Sequence, residues 1–271
     1  MVKHIIHAWR WFFSFLAYFL YGFFSLIAAI IFFIPFLILP RKMTKKIAQF
    51  LVHFSYCALT KFLIITGVMA IKVENKNLLK NLKGTLIIAN HPSFLDIVVL
   101  MSILPKADCI VKSSLWHNPI IGCMVRASQY IISDNPHQLV DTCIERLNAG
   151  NNVVIFPEGT RSNPESLKDF KRGFATIAIN SECSLVPVFL QCTPPALTKK
   201  CKWYSIPAKR FIFSVNVFPP INTKAITKEN ADAFLASKEL ATQIEAFFLS
   251  LMNSNDSNPQ SLFQNHFAEN S

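Results

Sequence analysis

Two short polar stretches carry the residues with which this chain could perform acid–base chemistry. The first is Asn-His-Pro-Ser-Phe-Leu-Asp at residues 90–96, where four residues separate His91 from Asp96. A carboxylate at one imidazole nitrogen fixes the tautomer and leaves the other nitrogen as a base. Because no serine nucleophile is evident, the hydroxyl that His91 activates could belong to a substrate. A histidine that caps a surface helix is the alternative interpretation of this spacing.

The second stretch is Phe-Pro-Glu-Gly-Thr-Arg-Ser at residues 156–162. Each stretch follows an apolar run that is typical of a buried strand, at 85–89 and at 153–156. An α/β sheet builds its sites from polar loops at the ends of such strands. The two stretches together therefore predict one site. For this reason we favour a catalytic role for His91 over a helix-capping role.

Strand-like and helix-like segments alternate along the rest of the chain, which predicts an α/β domain. We expect a mixed, mostly parallel sheet flanked by helices and preceded by an N-terminal hydrophobic, membrane-associated helical segment. Pro92 or Ser93 should begin the helix after His91, because serine is a good N-cap and proline is tolerated in a first turn. Strands are predicted at 69–73, 85–89, 108–112, 129–132, 152–156, 185–190 and 210–218. Helices are predicted at 93–104, 118–127, 136–149, 171–181 and 228–251.

The N-terminal region predicts an association with a membrane. Hydrophobic residues make up 52% of the 271 residues, 25 of which are Phe, and residues 11–39 include no charged side chain. That run is longer than the roughly 20 residues that cross a bilayer as a helix, and no small-residue cleavage site of a signal peptide follows it. A pair of helices embedded in one leaflet is the alternative. We expect membrane-anchoring helices at 1–66, the α/β domain at 67–252 and a polar tail without regular structure at 253–271.

The charge balance narrows the classes of partner. Lys and Arg total 27 against 16 Asp and Glu, a formal net charge of +11. Nucleic acid and anionic membrane both attract such a surface, but the apolar N-terminus favours the membrane, and no nucleic-acid-binding signature is found. A basic cluster follows the apolar run, and the positive-inside tendency places it in the cytoplasm. None of the seven cysteines forms a C-x-x-C pair, which indicates buried thiols in a reducing compartment.

With both stretches in view, the chain resembles the glycerolipid acyltransferases of the lysophosphatidate acyltransferase superfamily over about residues 70–218. Residues 90–96 match the His-x4-Asp motif of that family, and residues 156–162 match its Glu-Gly-Thr-Arg motif. The Leu-Val-Pro-Val segment at 185–188 is similar to its apolar-proline motif, and residues 112–132 are similar to the motif between these. The resemblance implies two catalytic residues, His91 and Asp96. It implies that substrate is bound by Glu158, Gly159, Thr160, Arg161, Lys112, Arg126, Lys171 and Pro187.

The implied reaction moves an acyl group from acyl-CoA or acyl carrier protein to a lysoglycerolipid, with 1-acylglycerol-3-phosphate as the expected acceptor. No cofactor or metal is implied, and the implied place is a bacterial inner membrane with the site on the cytoplasmic side. Many relatives carry an arginine for the acceptor phosphate where this chain has Ser-Asp-Asn at 133–135, so another lysolipid is the alternative acceptor.

Three other classes of function remain open at this point. A thioesterase or phospholipase could use the same histidine with water, although the G-x-S-x-G motif of α/β-hydrolases is missing from the sequence. A metal enzyme is disfavoured, because no second histidine stands at ligand spacing from His91. A basic membrane-binding module would explain the charge and the apolar N-terminus but not the two polar loops.

Overall fold

A computed structural model describes residues 2–36, 38–118, 121–162, 167, 169–199, 201–202, 205–229, 232–253 and 259–267. Its N-terminal part is a helical hairpin. Helix α1 is Val2–Ala28; a π-helical turn at Ala29–Phe33 continues it into α2, Ile34–Phe36, and α3 is Arg41–Ile65. The ring of Phe13 lies 6.2 Å from that of Phe62, and the ring of Tyr21 lies 6.3 Å from that of Tyr56. These pairings show that α1 and α3 run antiparallel.

The strands form one mixed sheet, as the sequence predicted. Its strands are β1 Met69–Glu74, β2 Thr85–Ala89, β3 Asp108–Lys112, β4 Ile131–Ser133, β5 Val153–Ile155, β6 Ser184–Thr193, β7 Phe211–Val217 and β8 Ile221–Asn222. The order is β1-β7-β6-β2-β5-β3-β4, and β8 pairs with β6. Pairing is parallel except where β6 meets β7 and β8. The carboxyl ends of β2 to β6 therefore share one edge, the carboxyl edge, and their beginnings share the opposite amino edge.

Helices cover both faces of this sheet. They are α4 Asp96–Ile103, α5 Ser113–Trp116, α6 Ile121–Ala127, α7 Pro136–Asn148, α8 Gly173–Ser181, α9 Thr223–Glu229, α10 Ala233–Asn253 and α11 Pro259–Phe267, with a 3-10 turn at Lys76–Leu79. Side chains of β2 alternate between two cores: Ile87 packs with the α3 and α4 layer, whereas Leu86 and Ile88 pack with the α8 and α10 layer. Burial on both faces explains why β2 is an unbroken apolar run rather than an alternating one.

Several element boundaries differ from the predicted ones, among them the starts of α4 and β4. Helix α4 begins at Asp96, not at Pro92 or Ser93, because residues 93–95 form a turn that the Asp96 side chain closes. Strand β4 begins at Ile131 rather than at 129, because Gln129 has a left-handed backbone with φ of 53° that interrupts an extended chain. Residues 119–120 of the helix predicted at 118–127 lie outside the described residues.

The C-terminal part also differs from the predicted pattern. The helix predicted at 228–251 is two helices, α9 and α10, and the polar tail contains α11. Phe263 of α11 is buried, and its ring stacks 5.7 Å from the ring of Phe218. The apolar pattern of α11 is too weak to predict a helix from the sequence. Because so short a helix is marginal in water by itself, α11 depends on its packing against the rest of the domain.

The helical hairpin leaves a wide apolar surface uncovered by the described residues. Segments Lys3–Phe36 and Met43–Ile65 are long and apolar enough to cross a bilayer, and 11% and 28% of their most apolar windows are buried. The Trp9 indole N–H donates to the carbonyl of Thr66 (3.0 Å), which holds the start of α1 against the end of α3. The exposed large apolar side chains include Phe12, Phe15, Phe19, Phe23, Ile30, Ile31, Ile38, Met43, Ile47, Phe50 and Phe54.

Candidate active site

His91 and Asp96 meet in the turn between β2 and α4, at the carboxyl edge. The distance from His91 Nδ1 to Asp96 Oδ2 is 2.7 Å, and the same oxygen accepts the backbone N–H of Ser93 at 2.7 Å. The chain thus folds back over four residues, as the spacing predicted. With Nδ1 directed at the carboxylate, Nε2 is the ring nitrogen that can take a proton from a bound hydroxyl. The His91 side chain is 20% exposed, so a substrate hydroxyl can reach the imidazole ring.

The Asp96 carboxyl group is buried, and this environment raises its pKa. Loss of solvation raises the pKa from 3.8 to about 6, while the hydrogen bond with His91, its charge and the Ser93 N–H act in the opposite direction. Asp96 Oδ1 is buried without a hydrogen-bond partner among the described residues. A carboxylate with so little solvation interacts strongly with a charge that develops on the imidazole.

Glu158 joins the second stretch to the first. Its Oε1 accepts the backbone N–H of His91 at 2.8 Å and the hydroxyl of Ser162 at 3.3 Å. The Ser162 N–H in turn donates to the His91 carbonyl at 2.9 Å. The Phe156 ring lies 4.4 Å from the His91 ring at an angle of 25°. Glu158 therefore holds the backbone of the histidine in place, and Phe156 supports its ring.

Asn90 and Ser93 have positioning contacts that sequence reasoning missed. The Asn90 amide donates to the Leu190 carbonyl (2.8 Å) and accepts the Leu190 N–H (2.7 Å), which joins the end of β2 to β6. The Ser93 hydroxyl donates to the Ala196 carbonyl at 2.8 Å. Both residues lie inside the first polar stretch, and that position was the available signal. Their partners are about a hundred residues away, so the sequence did not show which backbone they bind.

Arg161 and Lys171 place two cations on the second loop. Arg161 Nη1 donates to the Leu197 carbonyl at 3.2 Å, and its Cζ lies 5.8 Å from the centre of the Phe94 ring. Gly159 has φ of 65°, and a Cβ built on it would lie 3.0 Å from Lys171 Nζ. The left-handed backbone favours glycine at this position. The Gly159 N–H, predicted to bind substrate, already donates to the Phe156 carbonyl at 3.0 Å. Arg161 keeps further guanidinium donors, so Arg161, Lys171 and the Thr160 N–H could bind a phosphate.

The remaining predicted residues lie at different places in the sheet. Lys112 is exposed at the end of β3, two strands from β2, or roughly 10 Å at about 4.8 Å per strand. Pro187 is buried in β6 opposite Ile88, and it falls between the residues that pair with β8 and those that pair with β7. Its missing N–H is tolerated there, which is a structural reason for this proline.

Arg126 is not brought to the catalytic pair. It lies in α6, five residues before β4 begins, and so at the amino edge of the sheet. The five residues of β2 separate the two edges by roughly 16 Å at about 3.3 Å per residue.

A cavity of about 160 Å³ lies against both polar stretches. Asn90, Pro92 and Ser162 line it together with residues of β6 and Met252 of α10. Across the described ranges, no group of three or more His, Cys, Asp and Glu side chains is placed to hold a metal ion.

These features agree with comparisons to known proteins. The family model described as Acyltransferase matches residues 70–191, which contain both polar stretches. This match supports the resemblance to the glycerolipid acyltransferase superfamily. The fold also matches a solved structure: the crystal structure of 1-acyl-sn-glycerophosphate acyltransferase from Thermotoga maritima superposes with a TM-score of 0.64 at 18% identity, over 94% of this chain and 98% of that one.

Proteins similar to this chain include plant and fungal acyltransferases. The chain is 36% identical over 111 residues to the chloroplastic 1-acyl-sn-glycerol-3-phosphate acyltransferase of Arabidopsis thaliana, which covers 39% of this chain and 31% of that protein. It is 30% identical over 156 residues to 1-acyl-sn-glycerol-3-phosphate acyltransferase of Cocos nucifera, covering 55% and 49%. The protein of that name from Saccharomyces cerevisiae is 31% identical over 174 residues, covering 60% and 54%. The chain thus spans a third to about half the length of these relatives.

Proposed function

We propose that the protein is an O-acyltransferase that moves a fatty acyl group from a thioester to the free hydroxyl of a lysoglycerolipid. The observation that carries this proposal is the paired His91 and Asp96 at the carboxyl edge, with Glu158 fixing the histidine backbone. The pair corresponds to the base and the orienting carboxylate of a Ser-His-Asp triad that lacks the serine. The acceptor's own hydroxyl takes the serine's place, so no acyl-enzyme is required.

In the proposed reaction, His91 Nε2 takes the proton from the acceptor hydroxyl while that oxygen attacks the thioester carbonyl. A C–O bond forms, and collapse of the tetrahedral intermediate breaks the C–S bond. The imidazolium then returns its proton to the departing thiolate, which leaves His91 neutral. Asp96 stabilises the imidazolium, and its poor solvation strengthens that effect. A positioned general base contributes roughly 10²- to 10⁴-fold to the rate.

The acceptor that we favour is 1-acylglycerol-3-phosphate, the substrate in the names of the relatives above. A phosphate bound by Arg161, with Lys171 and Lys112 nearby on the same edge, would direct the glycerol hydroxyl towards His91. Ser133 is exposed at the end of β4, beside Lys112 in register, where relatives often carry the phosphate arginine. This substitution supports a second candidate acceptor, a lysophospholipid with a larger head group. The donor in either case is acyl-CoA or acyl carrier protein.

The uncovered apolar surface of α1 and α3 supports a membrane location for the proposed enzyme. A lysolipid and its acyl chain reside in the bilayer, so a membrane-bound enzyme meets its acceptor there. We place the site on the cytoplasmic side of a bacterial inner membrane, because thioester donors are cytoplasmic and the basic cluster follows the apolar run.

The test is a mass-spectrometric assay of the purified protein in non-ionic detergent micelles. One acyl-CoA is incubated with a panel of lysolipids, with His91→Ala as the matched inactive variant. We expect a product with the mass of the acceptor plus the acyl group, formed fastest with 1-acylglycerol-3-phosphate. Release of free fatty acid at the same rate without any acceptor would instead show a hydrolase. Binding of lysolipid without turnover of any donor would show a binding module.

A further inference from the structure

A second cavity lies at the amino edge, between the sheet and the helical hairpin. Its volume is about 470 Å³, larger than the cavity beside His91. The residues that line it are Phe36, Thr44, Trp116, Arg126, Ala127, Gln129, Tyr130 and Arg146. Phe36 ends the first apolar helical segment and Thr44 lies in the first turn of α3, so the cavity is next to the apolar surface of the hairpin.

Three buried polar atoms in or next to the lining of this cavity have no hydrogen-bond partner among the described residues. Arg126 Nε and the Tyr130 hydroxyl are buried and unpaired within the described ranges, and the Ser128 hydroxyl between them is unpaired as well. Only 6% of Tyr130 is exposed. Buried polar groups in proteins almost always have a hydrogen-bond partner, so the two unpaired groups in the lining, Arg126 Nε and the Tyr130 hydroxyl, indicate a ligand that supplies acceptors.

The charges around the cavity specify an anion. Lys45 Nζ donates to Asp108 Oδ2 at 2.8 Å, and Arg146 Nε lies 3.9 Å from the same oxygen. Gln49 donates to the other oxygen of Asp108 at 2.7 Å. Asp108 is therefore neutralised by Lys45. The guanidinium groups of Arg126 and Arg146 are left as an excess of two positive charges, and planar guanidinium forks suit phosphate oxygens.

The position of the cavity beside the hairpin indicates that the bound phosphate belongs to a lipid. Ile34, Ile38, Leu39 and Met43 are exposed around the hairpin tip, next to Phe36 and Thr44 in the chain. A phosphate in the cavity would place attached acyl chains along this apolar surface. Basic pockets between membrane helices bind lipid head groups in this manner.

We propose that the amino-edge cavity binds the phosphate of an anionic phospholipid, at a site separate from the catalytic pair. Arg126 and Arg146 provide the charge, and the Tyr130 hydroxyl donates a hydrogen bond. The bound lipid fixes the hairpin tip to the α/β domain. Arg126 then serves this site rather than the acceptor site near His91.

The proposal is tested by calorimetric titration of the full chain in non-ionic detergent with dihexanoylphosphatidylglycerol. No turnover is needed, so the result does not depend on the proposed reaction. We expect Arg126→Gln to raise the Kd about tenfold or more, the effect of one charge-assisted hydrogen bond. Lys238→Gln removes an exposed charge on α10 and is expected to leave the Kd unchanged. Arg161→Gln is expected to leave it unchanged too, because the acceptor site is at the other edge.

A second variant guards against a merely structural effect of Arg126. Tyr130→Phe removes a hydroxyl that has no partner in the lipid-free protein. We expect it to leave the lipid-free Tm unchanged or higher and yet to raise the Kd for the lipid by about threefold to tenfold. A residue that only supports the fold would change Tm and Kd in the same unfavourable direction.

Inorganic phosphate separates the two sources of this chemistry. Phosphate that binds as tightly as the lipid, and that depends on Arg126, would uphold the anion site and assign it to free phosphate. A Kd for the lipid and for phosphate that Arg126→Gln and Tyr130→Phe both leave unchanged would overturn the proposal. Loss of lipid binding in Arg161→Gln but not in Arg126→Gln would also overturn it, because the lipid would then occupy the acceptor site.

Discussion

The polar groups at the two edges of the sheet differ in whether they have hydrogen-bond partners. At the carboxyl edge, Glu158, Asn90 and Ser93 each bond to backbone groups of another loop or strand, and the His91 ring is bonded to Asp96. At the amino edge, Asp108 is fully engaged, but Arg126 Nε and the Tyr130 hydroxyl are buried without partners in the described part of the chain.

We interpret this difference as one between the proposed catalytic site and the proposed ligand-binding site. A general base must be held close to its productive position, and in the described part of the chain Asp96, Glu158, Ser162 and Phe156 contact His91. A binding cavity gains affinity when the ligand satisfies groups that the protein leaves unpaired. Asp96 Oδ1 is the exception at the carboxyl edge, and its poor solvation belongs to the proposed chemistry.

The largest effect is expected when His91, the proposed base at the carboxyl edge, is replaced. His91→Ala should lower kcat/KM by at least about 10²-fold, because a positioned general base contributes that much or more. His137→Ala, an exposed histidine at the start of α7, is the matched control and should keep its activity. The measurement is initial rate with acyl-CoA and 1-acylglycerol-3-phosphate, with Tm recorded for both variants. Activity above about a tenth of the original in His91→Ala would remove the histidine from the chemistry.

The next effect concerns pH and the Asp96 carboxyl group. Because its pKa is raised to about 6, this group takes up a proton as the pH falls through that value, and the imidazole then loses its anionic partner. We expect kcat/KM to fall below pH 6 by about tenfold per pH unit, the slope of one ionisation. The observed midpoint belongs to the coupled pair.

Asp96→Asn tests that assignment over the same pH range. It should lower the rate at pH 7.5 and shift or abolish the acid limb, because the amide does not titrate and permits the wrong tautomer. An acid limb with the same midpoint in both proteins would show that another group is responsible.

A smaller effect is expected at Glu158, which positions the base without touching it. Glu158→Ala leaves the His91 N–H without this acceptor, and we expect kcat to fall by about 10- to 100-fold with little change in the KM for acceptor. Glu158→Gln retains a carbonyl acceptor of the same size and should recover most of that loss. A rise in acceptor KM with kcat unchanged would instead place Glu158 in contact with the substrate.

The smallest effect is expected at Arg161. Arg161→Lys replaces a planar fork by a point charge, so the KM for the phosphate-bearing acceptor should rise about threefold to tenfold, with the KM for the thioester unchanged. Arg172→Lys is the matched control, because that exposed side chain lies over Phe234, 5.7 Å from the ring centre. An unchanged acceptor KM in Arg161→Lys would remove this residue from the phosphate site.

The sequence predicted which residues come together at the carboxyl edge better than it did for the amino edge. His91 and Asp96 are five residues apart, and Glu158 and Arg161 follow a second strand, so both sets are local patterns in the chain. By contrast, Asp108, Arg126, Tyr130 and Arg146 stand on a strand, a helix, a loop and another helix. No spacing along the chain relates them. Arg126 was assigned to substrate binding because the resemblance places it in the motif between the two polar stretches.

The sequence by itself determined the mixed sheet, the apolar hairpin and the fold-back of residues 90–96, because hydrophobic periodicity and short-range spacing decide these features. Only the tertiary structure decided that Glu158 bonds to the His91 backbone, that Asn90 binds Leu190, and that α11 covers Phe218. Those contacts join segments about 50 to 100 residues apart in the chain, with separations such as 67 and 100. Their partners are backbone groups or aromatic rings that carry no distinguishing residue pattern. Pairing in the sheet brings them together, and burial away from water then makes each hydrogen bond necessary.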